Sequence, residues 1–93
     1  MTRARQTKPE PTTSAKTEPL RVYVLIQTTP GRVEGITRAL KRLPAVLSVD
    51  PVTGPYDIVA LLGVSDVHKL SQLVAGTIGG MRGVTRTTTL LCA

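Results

Sequence analysis

The segment Ile58–Leu62 is apolar at every position, and this feature constrains the fold more than any other in the chain. Successive side chains of a β-strand point to opposite faces of the sheet, so a strand with this pattern needs apolar cover on both faces. The predicted strand runs over Tyr56–Val64, and turn residues, Thr53-Gly54-Pro55, precede it. The whole chain has 93 residues, which is enough for one small domain with a limited core.

Two helices and three further strands are predicted around this segment. Leu20–Thr28 is rich in β-branched residues and is typical of a central strand. Thr29 and Pro30 favour the start of a helix whose apolar residues recur at steps of three and four until Pro44 ends it. Two further strands are predicted over Val46–Val52 and Val84–Cys92. A second helix is predicted to begin after Ser65 as its cap and to end at Gly79, Gly80 and Gly83. The buried stripe of this helix consists of Val67, Leu70, Val74, Ile78 and Met81.

The resulting order, β-α-β-β-α-β, predicts an α+β, ferredoxin-like fold with a four-stranded antiparallel sheet and both helices on one face. The other face then exposes apolar side chains of the two central strands, namely Tyr23, Leu25, Val59 and Leu61. An apolar patch of this kind on a small protein indicates an interface. We therefore expect an obligate homodimer in which two sheets pack face to face as a dimeric α/β barrel.

Residues 1–19 differ in composition from the rest, with three prolines and almost no large apolar side chains. Such a segment cannot offset the entropy lost on ordering, so we expect a disordered tail before a domain over residues 20–93. The net charge of +6 leaves an alternative, a basic arm that contacts nucleic-acid phosphates. The charges are scattered and carry no interleaved aromatics, which does not favour direct DNA binding.

Side chains suited to catalysis or metal binding are scarce. His68 stands alone without cysteine or carboxylate at metal spacing, and the six carboxylates form no evident acid/base pair. We therefore predict no catalytic residues, no metal and no cofactor. Cys92 is the only cysteine, which excludes an intrachain disulfide and fits the cytoplasm, and no apolar run is long enough for a membrane helix.

Four short motifs lie in order along the predicted domain: Thr29-Pro30-Gly31, Leu43-Pro44-Ala45-Val46, Thr53-Gly54-Pro55-Tyr56-Asp57 and Arg86-Thr87-Thr88-Thr89. In order and spacing, the segment from Val22 to Leu91 resembles the regulatory (RAM, AsnC-type ligand-binding) domain of the Lrp/AsnC transcription regulators. Full-length members also carry an N-terminal helix-turn-helix domain, which residues 1–19 are too short to supply. The resemblance therefore implies a stand-alone RAM domain without a DNA reader of its own.

The resemblance also implies an assembly and a ligand. Domains of this family pair through their sheets, and the dimers form octamers or similar rings that bind small effectors, usually amino acids, at dimer–dimer contacts. The expected function is an effector-binding and oligomerisation module that modulates transcription through full-length regulators. A small dimeric α+β barrel enzyme using His68, and the basic-tail nucleic-acid binder, are the alternatives.

Five residues are predicted to contact the effector, some from their chemistry and some from the resemblance. Asp57 would accept from an ammonium group, Gly54 would allow close backbone approach, and Tyr56 would line the pocket. Thr87 and Thr89 match family threonines near the ligand, and they lie two apart on one strand, so both hydroxyls share a face. The structural alternative is that residues 53–57 are only a hairpin connection in which Asp57 caps backbone N–H groups.

Overall fold

A computed structural model describes residues 20–93, and it contains one antiparallel sheet with strand order β2-β3-β1-β4. The elements are β1 (Leu20–Thr28), α1 (Val33–Lys41), β2 (Val46–Pro51), β3 (Ile58–Val64), α2 (Val67–Ser71), a π-helical segment (Gln72–Ile78) that continues α2, and β4 (Val84–Leu91). This arrangement confirms the predicted ferredoxin-like α+β fold. The tail predicted for residues 1–19 lies outside the described residues.

The core lies between the helices and one face of the sheet. Alternate residues of the two central strands are fully buried there, because β-strand side chains alternate between faces. Aliphatic residues make up this core, so burial of branched side chains provides the main stabilisation. Its members are Val22, Val24, Ile26, Ile36, Leu40, Val49, Ile58, Ala60, Leu62, Val64, Leu70 and Ile78.

None of the helices within residues 20–93 covers the opposite side of the sheet, which we call the open sheet face. Strand register places six side chains together on it: Tyr23, Leu25, Val59, Leu61, Thr88 and Leu90. Tyr23 is 42% exposed and lies between Leu61 and Leu90, the latter 50% exposed. The four residues predicted to face away from the helices therefore do so, and they form one continuous apolar surface.

Both helices begin later than the sequence suggests. Gly31 has a φ of 83°, a left-handed conformation that ends the turn started at Thr29, so α1 begins at Val33 rather than at Pro30. The N-cap of α2 is Asp66 rather than Ser65, since the Asp66 carboxylate accepts a 2.8 Å hydrogen bond from the Lys69 N–H.

The π-helical segment carries part of the buried stripe of the second helix. Leu70, Val74 and Ile78 face the core at steps of four, whereas four residues of an α-helix overshoot one full turn by roughly 40°. In the π-helical segment the Gly79 N–H donates to the Val74 carbonyl at 2.7 Å, an i→i+5 bond. Val67, which was predicted in this stripe, is 60% exposed, so that prediction was wrong.

The β1–α1 turn is tied to the connection that leads into β4. The Thr29 N–H donates to the Gly83 carbonyl at 2.8 Å, and the Arg32 guanidinium donates to the Arg82 carbonyl at 3.3 Å. Gly83 has a φ of 98°, and a Cβ there would come within 2.7 Å of the Arg32 Cγ. Glycine is therefore required at this position by both conformation and space.

Candidate functional site

The loop between β2 and β3, which we call the 52–57 loop, carries three of the predicted ligand residues. The Val52 N–H donates to the Asp57 carbonyl at 2.8 Å and closes the loop, and the Asp57 N–H donates to the Ile26 carbonyl at 2.9 Å. Gly54 has a φ of 134°, a conformation that favours glycine, and no atom lies within 4 Å of a Cβ built on it. The sequence Thr-Gly-Pro therefore shapes a loop that is open at its tip.

The Asp57 side chain uses one of its two carboxylate oxygens inside the fold. Oδ2 accepts the Thr28 N–H at 2.8 Å and the Thr28 hydroxyl at 3.4 Å. Within residues 20–93, hydrogen bonds to this half-buried carboxylate all go to Oδ2. A carboxylate can accept at both oxygens, so these contacts leave the acceptor capacity of Oδ1 unused.

Tyr56 and Pro55 connect the same loop to the open sheet face. The Tyr56 hydroxyl and the Thr88 hydroxyl are 2.6 Å apart, and the Gln27 side-chain amide donates to the Pro55 carbonyl at 3.2 Å. Thr88 pairs with Leu25, so its hydroxyl emerges on the open sheet face. The loop is thus held to the rest of the chain by the Asp57 N–H, by the Asp57 carboxylate and by two hydrogen bonds on this face.

The two predicted threonines of β4 lie elsewhere. Thr87 pairs with Ile26 and Thr89 pairs with Val24, and both partners are fully buried on the helix side. The structure therefore brings Gly54, Tyr56 and Asp57 together in one loop but places Thr87 and Thr89 on the other side of the sheet. Thr89 lines a small cavity of about 280 Å³ with Leu70, Ser71, Val74 and Ala75.

Thr88 is the functional candidate that the sequence did not single out. It is half-buried and is the hydrogen-bond partner of Tyr56. The signal was the pairing register: any residue of β4 opposite the outward Leu25 shares its face. Finding Thr88 from sequence therefore required the register of β4.

Concave surfaces of the described chain lie both beside the loop and away from it. A depression of about 510 Å³ beside the loop is lined by Pro51, Val52 and Thr53 alone, so one chain supplies one wall of a pocket there. A groove of about 550 Å³ lies at the opposite end of the sheet, away from every predicted ligand residue. It is lined by Pro44, Ala45, Gly63, Val64, Ser65, Lys69, Gln72, Leu73 and Thr77.

The other chemical candidates are dispersed. His68 lies exposed on α2, and Cys92 is exposed beyond the end of β4. In the part of the chain that the structure describes, no three His, Cys, Asp or Glu side chains approach closely enough to hold a metal ion. None of the helices between residues 20 and 93 has the length and apolar character needed to cross a membrane.

Known structures share this architecture over most of the chain. The protein TTHA0845 of Thermus thermophilus is 42% identical, with 80% of this chain and 92% of that chain covered and a TM-score of 0.76. The transcriptional regulator NMB0573 of Neisseria meningitidis, solved as its L-Met complex, is 18% identical with a TM-score of 0.80. AsnC of E. coli is 14% identical with a TM-score of 0.80.

The two regulators are longer proteins. The match covers 97% of this chain but 60% of the Neisseria regulator, and 95% of this chain but 60% of AsnC. At these identities the likeness shows the fold alone. A search of proteins with curated functions found no significant match.

The sequence itself assigns the family. Residues 21–93 match the family model described as the Lrp/AsnC ligand-binding domain. That range contains β1 from Arg21 onward, the other three strands, both helices and the 52–57 loop. The fold is therefore that of a regulatory, effector-binding domain, and the chain belongs to the Lrp/AsnC ligand-binding domain family.

Proposed function

We propose that this chain is a non-enzymatic cytoplasmic module that binds an amino acid at the 52–57 loop and assembles through its open sheet face. The observation that carries the proposal is the divided role of Asp57. Oδ2 is anchored by Thr28, which fixes the orientation of the carboxylate and leaves Oδ1 for a ligand ammonium. The L-methionine named for the Neisseria regulator supports an amino acid as the ligand class.

The remaining ligand contacts would come from the loop backbone and from a second subunit. Gly54 leaves the loop tip open, which permits close approach of a ligand carboxylate to backbone N–H groups. The adjoining depression has one wall in a single chain, so a neighbouring subunit is needed to enclose a ligand. This fits a site at contacts between dimers in an octamer or a similar ring.

Thr87 and Thr89 remain a separate prediction. Their hydroxyls open toward the helices, and Thr89 lines the small cavity beside α2. Ligand contact at Thr87 or Thr89 would occur on the helix side of the sheet, whereas contact at Tyr56 would occur on the open sheet face. Ligand dissociation constants of single Thr→Val variants would show on which side of the sheet the ligand binds.

Pairing through the open sheet face is supported by its composition. Tyr23, Leu25, Val59 and Leu61 form a continuous apolar surface on strands whose other face is fully buried. Covering this surface with a second copy removes its apolar side chains from water, which favours pairing. Mixed assembly with full-length Lrp/AsnC regulators would then give those regulators the ligand response of this chain.

Native mass spectrometry of the full chain, alone and with each of the twenty L-amino acids, tests the proposal. We expect dimers or higher even-numbered assemblies, and at least one amino acid that binds or shifts the distribution toward the larger form. A monomer across the micromolar range would refute sheet pairing. Assemblies that bind none of the twenty would refute the amino-acid site.

A further inference from the structure

We propose that the groove between the end of β3 and α2 is a second ligand site, which binds small aliphatic carboxylates. We call it the β3–α2 groove. Its volume of about 550 Å³ is within the range of roughly 300–1,000 Å³ that is typical of small-molecule sites. The groove lies at the Val64 end of β3, whereas the 52–57 loop precedes Ile58, so about 20 Å of strand separates the two sites. Neither site requires the other.

One part of the groove lining is apolar and firmly held. Val64 is buried in the core, and Ala45 and Leu73 pack against the core while lining the groove. The Gly63 N–H donates to the Ala45 carbonyl at 2.9 Å, which fixes the connection between α1 and β2 beside the end of β3. Together with Pro44, these side chains offer a preformed surface for a short hydrocarbon chain.

The remaining side chains of the lining are polar, and one of them is charged. Ser65, Gln72 and Thr77 bring neutral hydrogen-bonding groups, and Lys69 brings an ammonium group. Among the described residues that line the groove, none is acidic. A cation and neutral donors beside an apolar surface are suited to a carboxylate that carries an aliphatic chain.

Lys69 has no carboxylate partner within residues 20–93, where the ion pair joins Glu34 and Arg38. The neighbouring Asp66 accepts the backbone N–H of Lys69 at 2.8 Å but does not line the groove. A ligand ammonium group bound here would therefore lie beside a like charge without an acidic acceptor. The groove differs in this respect from the 52–57 loop with its Asp57 carboxylate, so we expect it to prefer carboxylates that lack an ammonium group.

The helix sets the length of the ligand. Lys69, Leu73 and Thr77 follow one another at steps of four and line the groove together. Eight residues of helix span roughly 10 Å, so a carboxylate held at Lys69 can extend a chain of about four to eight carbons past Leu73. A ligand of this size in an open groove should bind with a dissociation constant of about 1 mM.

Transverse-relaxation-optimised NMR of the ¹⁵N-labelled full chain locates the site. The probe is 4-methylpentanoate, and L-leucine is the matched comparison because it has the same carbon skeleton with an ammonium group added. We expect 4-methylpentanoate to shift the amide resonances of Ser65, Lys69 and Leu73 and to leave that of Asp57 unchanged. L-leucine should shift the groove resonances at least about 5-fold less effectively.

Substitutions of Lys69 test the charge. Lys69→Gln should weaken 4-methylpentanoate binding about 5- to 12-fold, between the loss expected for an exposed ion pair and that for a hydrogen bond to a charged group. Lys69→Arg should keep the binding, because it keeps the charge. Both variants retain the backbone N–H that Asp66 caps, so the helix start is preserved. Lys41→Gln is the matched control, since Lys41 is also exposed on a helix but does not line the groove, and it should change nothing.

A ligand series tests the apolar lining without altering the protein. From butanoate to pentanoate and hexanoate, each added methylene should strengthen binding by about 2- to 4-fold. The neutral 4-methylpentanamide should bind the natural chain as weakly as 4-methylpentanoate binds Lys69→Gln. Equal affinities of butanoate and hexanoate would overturn the proposed position of the chain against the apolar lining.

The other outcomes separate this site from the proposed function. Groove resonances that stay unchanged at millimolar 4-methylpentanoate overturn the second site, and a response of Asp57 alone does so while leaving the proposed function intact. Full retention of binding by Lys69→Gln overturns the role of the ammonium group. Binding of 4-methylpentanoate at the groove, with none of the twenty amino acids bound at the 52–57 loop, would support the second site and overturn the proposed function.

Discussion

Substitutions of Asp57 can distinguish a structural role of its carboxylate from a ligand-binding role. Asp57→Asn keeps a side-chain carbonyl oxygen that can accept the Thr28 N–H, now 2.8 Å from Oδ2. It removes the negative charge that the ligand ammonium requires. Asp57→Ala removes both the acceptor oxygen and the charge, so the two variants together distinguish the structural role from the ligand-binding role.

The magnitudes follow from the hydrogen bonds on each oxygen. A bond to a charged group contributes about 1.5–3 kcal/mol and a neutral one about 1 kcal/mol, so Asp57→Asn should lower the free energy of unfolding by about 1 kcal/mol. Asp57→Ala leaves the partly buried Thr28 N–H without its partner and should cost about 1–3 kcal/mol. Loss of the charged ligand contact should weaken amino-acid binding about 10- to 150-fold in both variants.

The assay is urea unfolding followed by circular dichroism, beside isothermal titration with the amino acid that binds the natural chain. Because dimer stability depends on protein concentration, all variants must be unfolded at one concentration. Ligand binding by Asp57→Asn as tight as that of the natural chain would refute a ligand-binding role for the carboxylate. Asp57 would then act only as a cap for β1.

Other substitutions test the open sheet face, the backbone and the core. Leu61→Lys places a charge in the apolar face and should raise the dimer dissociation constant by more than about 100-fold in sedimentation analysis, whereas Val67→Lys, at an exposed helix position, should not change it. Gly83→Ala should cost about 1–3 kcal/mol in denaturant unfolding and Gly54→Ala less, because only the former combines a left-handed φ with a steric clash; equal costs would contradict this reading of the turn. Thr37→Val should raise the free energy of unfolding by about 1 kcal/mol, since the buried Thr37 hydroxyl has no partner among the described residues, and a loss of stability would indicate a hydrogen bond that this structure does not contain.

The fold was predictable because the hydrophobic spacing is unambiguous where the core is densest. The uninterrupted apolar run of β3 and the regular steps of α1 each fit one type of element. Element boundaries were less predictable, because neighbouring residues compete for the same cap. Asp66 rather than Ser65 caps α2 since its carboxylate reaches the Lys69 N–H. The π-helical segment was hidden because steps of four fit both helix types loosely.

The candidate site, like the fold, was predictable only in part. The local sequence was sufficient to predict a turn at Thr53-Gly54-Pro55, but the predicted strand began at Tyr56 whereas β3 begins at Ile58. The face on which Thr87 and Thr89 emerge was not predictable, because alternation fixes only that they share a face. That choice depends on the pairing of β1 with β4, which shifts at a bulge between Gln27 and Thr28.

Structural and ligand-binding roles for the 52–57 loop are compatible because its contacts use different atoms. Gly54 and the Oδ2 atom of Asp57 satisfy the hairpin, and a fold of this type needs them whether or not a ligand binds. The hairpin does not require Oδ1 or the Tyr56 hydroxyl. Oδ1 accepts no hydrogen bond within the described chain, and the Tyr56 hydroxyl reaches across β1 to Thr88. Substitutions that spare the first pair of groups and remove the second therefore test function without dismantling the loop. Asp57→Asn keeps an acceptor for the Thr28 N–H and Tyr56→Phe keeps the ring, so a loss of ligand binding that exceeds the small loss of stability in either variant reports on the site itself.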